Sequence, residues 1–197
     1  MNIQRIKQQL GTLSLSMFRK DFFGIYHGSI SARVESNLFV INHKEAIFDD
    51  INENSLVELY FNKDYRWKKA SLDAEIHKEI YQQHSDAKFI SFTMPPFTVA
   101  YSLMHNVISP LDYFGKKEFP AIYVYDPKEF DDWYDRATTA ISQYFSHSQS
   151  NIIVIKGYGV YAYNRDLHEM AKQLAILEKS CRLLMLNSKT AALDIDN

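Results

Sequence analysis

The sequence predicts an α+β fold in three layers (α/β/α), with a mostly antiparallel central sheet flanked by helices. Three observations carry this. Short apolar or alternating runs such as Ile30–Val34, Leu56–Phe61 and Asn151–Ile155 are bounded by turn residues, as strands are. Between them lie stretches with apolar residues every three or four positions, the repeat of an amphipathic helix. Paired runs around tight turns, Glu35-Ser36-Asn37 and Gly157-Tyr158-Gly159, favour hairpins and hence antiparallel pairing. The chain shows no internal repeat, low-complexity tract or linker. Its 197 residues suit one domain over residues 1–187, with a polar C-terminal tail over 188–197 expected to fray.

In chain order, Ile3, Ile6, Leu10, Leu13, Met17 and Phe18 give residues 2–23 a helical stripe, or a helix pair interrupted at Gly11. Ile30–Val34 and Asn37–Ile41 follow as a hairpin. Leu56–Phe61 is a third strand, closed by an Asn62-Lys63-Asp64 turn. Ser71 opens a helix with Leu72, Ile76 and Ile80 on one face and Asp73 and His77 one turn apart on another. Lys88–Thr93 is a short apolar strand. Pro95-Pro96 ends it and starts a helix whose stripe runs through Phe97, Ala100, Tyr101, Met104 and Ile108.

Phe119–Tyr125 reads as a further strand. Asp126-Pro127-Lys128-Glu129 reads as a helix start: Asp caps, Pro suits the first turn and Glu reaches back. Phe130, Trp133, Tyr134, Ala137, Ile141 and Tyr144 then form a wide apolar face. Asn151–Ile155 and Gly159–Tyr163 make the last strand pair. The closing helix is capped by Asp166 and carries Leu167, Met170, Leu174, Leu177, Cys181 and Leu184.

Composition narrows the function classes. A net charge of −2 with no Lys/Arg cluster beyond pairs such as Lys68-Lys69 gives no footprint for nucleic acid. No apolar run approaches the roughly 20 residues of a membrane helix, and the N-terminus has no signal-peptide core. Cys181 is the single cysteine, so an intrachain disulfide is impossible and a cytoplasmic location is expected. Thirteen Tyr and thirteen Phe leave aromatic surface for a pocket or a subunit contact.

Gly28-Ser29-Ile30-Ser31-Ala32-Arg33 resembles the Gly-Asn-Ile-Ser-x-Arg motif of the class II aldolase/adducin family, which includes sugar-phosphate aldolases and epimerases. Asn42-His43-Lys44, after Phe39-Val40-Ile41, falls at that family's Leu-Ile-Thr-Pro-Ser-Gly segment. Ser71-Leu72-Asp73 and the following Ile76-His77 resemble its Ser-Ser-Glu stretch and Leu-His pair. Lys156-Gly157-Tyr158-Gly159 stands where the family has Arg-Asn-His-Gly. The order and spacing agree over roughly residues 5–186.

The resemblance implies a divalent metal held by a His-x-His pair and a third His in the His-Gly turn, an open position polarising substrate as a Lewis acid. Those positions here are Phe92, Met94 and Tyr158. Phe has no ligand atom, a thioether suits zinc poorly, and a phenol must first lose its proton. No metal or other cofactor is therefore expected, with zinc or another divalent ion at a relocated site near His27 and His43 as the alternative. Phe92, Met94 and Tyr158 read best as an aromatic plug filling the vacated place.

The implied anion pocket is partly kept: Gly28, Ser29, His43, Lys44 and Ser71 offer hydroxyls and one fixed charge to a small phosphorylated ligand. Asp73 stands at the family's acid/base Glu, one methylene shorter, and with Tyr158 is the candidate catalytic group. The preferred reading of Asp73 is nonetheless a helix-start aspartate favoured by the macrodipole. His77 reads as a helix residue satisfied by a carbonyl or by Asp73, and Cys181 as core. Two functions follow. One is a non-catalytic binding, assembly or regulatory protein; the other is a carbon–carbon lyase or epimerase acting on a sugar phosphate through an altered or metal-free site. Both imply a homo-oligomer, a tetramer by family resemblance.

Overall fold

Along each strand successive side chains alternate between two faces, and in this chain both faces are covered by helices. A computed structural model describes residues 2–193. Its strands are β1 (Ser29–Glu35), β2 (Leu38–Asn42), β3 (Leu56–Tyr60), β4 (Phe89–Thr93), β5 (Val107–Ile108), β6 (Ile122–Tyr125), β7 (Ile152–Ile155) and β8 (Gly159–Asn164). The helices are α1 (Ile3–Phe18), α2 (Ala74–Gln83), α3 (Pro96–Met104), α4 (Tyr113–Glu118), α5 (Trp133–His147) and α6 (Leu167–Leu193). The strands form one sheet in the order β3-β2-β1-β4-β8-β7-β6-β5. Every pairing is antiparallel except β6 with β7, so the mostly antiparallel sheet expected from the sequence is present.

Ile30 and Ala32 of β1, Val40 of β2, Ile152 and Val154 of β7, and Val160 and Ala162 of β8 point to one face. There they meet Ile6, Leu10 and Met17 of α1 and Met170, Leu174, Leu177 and Cys181 of α6. The intervening residues Phe39, Ile41, Ile153, Ile155, Tyr161 and Tyr163 point to the other. Ile76, Ile80 and Tyr81 of α2 and Trp133, Ala137, Ile141 and Phe145 of α5 close that side. At roughly 25 cal/mol per Å² of apolar surface, two such layers supply the main stabilising term. Cys181, wholly buried, has its thiol pushed up to about 12 by burial and acts as core.

Three expectations need correction. The Asp126 capping box does not form: Lys128 takes a left-handed φ of 61°, its N–H bonding Asp126 Oδ1, and α5 begins only at Trp133. That leaves Phe130 outside the helix. The stripe assigned to one helix through Ile108 is cut at Met104, and Val107–Ile108 leaves to pair with β6 as β5. Leu72, expected on the buried face of α2, is 72% exposed because that helix starts after it, at Ala74. Of the C-terminal tail, α6 runs through Leu193, and residues 194–197 lie outside the described residues.

Candidate functional site

The site grows from the Gly28 turn. Gly28 has a φ of +131°, and a side chain there would run into the Phe23 ring and the Phe92 carbonyl, so only glycine lets the chain enter β1 at this point. Asn42, at the end of β2, fixes the neighbouring backbone: its Oδ1 accepts from Ile30 N at 2.9 Å and its carbonyl accepts from Ser71 N at 2.9 Å. Ser71 Oγ in turn accepts from Asp73 N at 3.3 Å. These ties bring the start of β1, the end of β2 and the approach to α2 to one cleft of about 310 Å³, where Gly28, Lys44, Ser71, Asp73 and Phe92 all line the wall.

Phe92 lies in a stack. Its ring is 4.9 Å from Tyr158 at 27° and 4.6 Å from Tyr161 at 26°. Tyr158 also meets the Trp133 edge at 5.8 Å, and Met94 packs against the core layer that contains these rings. The Tyr158 hydroxyl donates to Tyr134 Oη at 3.2 Å. Burial first, then that contact and the nearby Asp73 carboxyl, push the Tyr158 pKa well above the usual phenol value. Gly159 makes the stack possible, since a Cβ there would lie 2.5 Å from the Phe92 ring and 2.6 Å from the Thr93 carbonyl.

Asp73 is buried at the floor of the cleft. Burial raises its pKa, and hydrogen bonds from Ser29 and Tyr161 oppose the rise. Tyr161 Oη donates to Asp73 Oδ1 at 2.8 Å. As the residue before α2 it makes no side-chain capping bond, so its role is in this network rather than at the helix terminus. His77 does not bond Asp73 or a carbonyl, contrary to expectation. Its ring lies between Ser29 Oγ at 2.9 Å and Ser31 Oγ at 2.7 Å, and Ser31 continues to Tyr81 Oη at 2.7 Å. Burial drives the His77 pKa down to about 3.

The candidates separate accordingly. Gly28, Lys44, Ser71 and Asp73 share the cleft, Ser29 lies just beneath it and His27 stands at its rim. His43 is not on the cleft wall; it is half-buried near Lys69, Glu45 and Lys7, with its pKa lowered first by burial and then by Lys69. Among the described residues no three His, Cys, Asp or Glu side chains group to hold a metal ion. Phe92 offers no donor and Tyr158 keeps its proton, so the residues present do not fit a zinc-like ion at the position the resemblance implies. Tyr26, Tyr134, Tyr161, Ser31 and Tyr81 escaped sequence reasoning. One signal was there to find: Ser29 and Ser31, two apart in a strand, had to share a face and so call for a polar partner.

The arrangement of elements has counterparts. A family model described as the class II aldolase and adducin N-terminal domain matches residues 8–185. The chain belongs to the class II aldolase and adducin family. It is similar to the L-fuculose phosphate aldolase of Methanocaldococcus jannaschii, at 21% identity over 161 residues covering 81% of this chain and 84% of that protein. Among solved structures, the L-fuculose-1-phosphate aldolase from Thermus thermophilus superposes with a TM-score of 0.81 at 19% identity, covering 96% of this chain and 95% of its own. A sugar-phosphate aldolase from Thermotoga maritima gives 0.75 at 13% identity, covering 96% and 97%. At these identities the structures establish the shared fold.

Proposed function

We propose that this chain is a ligand-binding member of its family, serving a binding, assembly or regulatory role through the cleft at Asp73 and Lys44. The observation that carries the reading is the Tyr158–Phe92–Tyr161 stack, which fills with rings the place where the family resemblance implies a metal. The walls that remain suit a small phosphorylated ligand: Lys44 supplies a fixed charge, Ser71 a hydroxyl and the Gly28 turn an uncrowded backbone. Exposed Leu103, Met104, Leu111, Tyr113, Phe114 and Tyr123 support a homo-oligomer, with a tetramer as the form the resemblance implies. No described helix is long and apolar enough to cross a membrane, in keeping with the cytoplasmic location proposed.

The test is elemental analysis of protein purified without added metal, run beside an aldol-cleavage assay on L-fuculose 1-phosphate. The expected result is no zinc at near-stoichiometric level and no cleavage, with sugar phosphates still raising the melting temperature. Near-stoichiometric zinc lost on His27→Ala, with zinc-dependent cleavage, would overturn the reading.

A second reading is favoured by Asp73 itself, a buried carboxyl of raised pKa beside the Tyr161 phenol. In it the chain is a metal-free lyase or epimerase with Asp73 taking a proton from the substrate carbon. Cleavage or epimerisation that persists in chelator and disappears in Asp73→Asn would establish this reading instead.

A further inference from the structure

The hydrogen bonds behind the cleft can be followed proton by proton. Tyr81 is 2% exposed, and Ser31 Oγ is its hydroxyl's hydrogen-bond partner among the described residues. A buried phenol keeps its proton and needs an acceptor, so Tyr81 donates and Ser31 accepts. Ser31 is left to donate to His77 Nδ1. The His77 ring is wholly buried and neutral, so its one proton sits on Nε2 and goes to Ser29 Oγ. Ser29 is then left to donate to Asp73, which also receives the Tyr161 proton. Every link is polarised toward one carboxyl, and each of its protein partners is a neutral hydroxyl.

On its other side Asp73 faces the cleft. None of the ion pairs among the described residues includes it; Lys44, Glu45 and His27 share the cleft, and neither Lys44 nor His27 lies within pairing distance. A buried carboxylate held by neutral donors alone is costly, and a cation brought by a ligand removes that cost. The cleft wall beside it carries the Tyr26 and Tyr134 rings, 59% and 54% exposed, whose faces attract an organic cation.

We infer that the Asp73 end of the cleft takes a protonated amine, so that the ligand is a small zwitterion with ammonium against Asp73 and phosphate toward Lys44. This inference rests on the reading of the cleft as an anion-binding ligand site. The ammonium donates to the carboxylate lone pairs that Ser29 and Tyr161 leave free, and no covalent step is involved.

The test is calorimetric titration of the full chain with O-phosphoethanolamine and with 2-hydroxyethyl phosphate, which differ only in the amine. Inorganic phosphate and ethylamine serve as single-ended probes. The expected result is at least tenfold tighter binding of the amine, a preference erased in Asp73→Asn. The wild-type protein supplies a second readout that no folding defect can obscure: the Asp73 carboxyl carbon signal should be that of a carboxylate in the O-phosphoethanolamine complex. Equal affinity for the two phosphates, or a protonated Asp73 in the complex, would refute the inference while leaving the anion site intact. Ethylamine binding at Asp73 without any phosphate binding would overturn the anion reading and the zwitterionic ligand with it, while placing an amine at Asp73. Silence from all four probes would overturn both.

Discussion

Replacing His77 by Gln should change how stability depends on pH, not merely lower it. The ring is wholly buried, and burial moves its pKa from 6.5 to about 3. A folded pKa below the unfolded one means that His77's contribution is complete above about pH 6.5 and is lost as pH falls toward 3. At pH 5 the unfolded ring is protonated roughly thirty to one, and folding must strip that proton at about 2 kcal/mol; near pH 3 the figure approaches about 5 kcal/mol. Asp73 works the other way, since its raised pKa gives stability at low pH that fades as pH rises.

Comparing variant with wild type at each pH isolates the histidine. At pH 7.5 His77→Gln should be less stable by roughly 1–3 kcal/mol, because one amide cannot serve both Ser29 and Ser31. At pH 5 the gap should narrow by about 2 kcal/mol, since Gln carries no proton to strip. Urea unfolding followed by tryptophan fluorescence at the two pH values measures it. A gap that stays constant between them would mean that His77 titrates normally and that the buried relay is misread.

Other substitutions test other parts of the site. Phe92→Ala empties the middle of the ring stack and should lower stability by about 3–5 kcal/mol in urea unfolding, with Phe92→Leu recovering part of it. Glu178→Ala should cost about 1–2 kcal/mol, because that carboxylate accepts from Phe97 N at 2.9 Å and from Thr98 N and Oγ1 at 2.8 Å, capping α3. Lys44→Ala should weaken phosphate binding by about three- to tenfold in titration calorimetry at low salt, with the melting temperature unmoved, since the side chain is exposed.

Some of this was legible along the chain. Alternation in Ile30–Val34 and Gly159–Tyr163 marked strands, and the three-and-four spacing of Leu167, Met170, Leu174, Leu177 and Cys181 marked a helix with a buried stripe. Local chemistry misled where a tertiary contact overrode it. Asp126-Pro127-Lys128-Glu129 has the composition of a helix start, yet Arg136 reaches back to the Pro127 and Glu129 carbonyls and holds the segment as a loop. Ile108 fitted the helical stripe of Phe97 and Met104, but pairing with Ile122 at the sheet edge claimed it.

The amino-acid order by itself determined the layered α+β fold, the family resemblance and the residue types at Phe92, Met94 and Tyr158, because residue type and period are local properties. Only the folded chain decided which polar groups meet. Ser29 and Ser31 find His77 and Tyr81 across some fifty residues, and Asp73 finds Tyr161 across 88. Period assigns a side chain to a face; what covers that face is set by the sheet's strand order and by the helices laid on it.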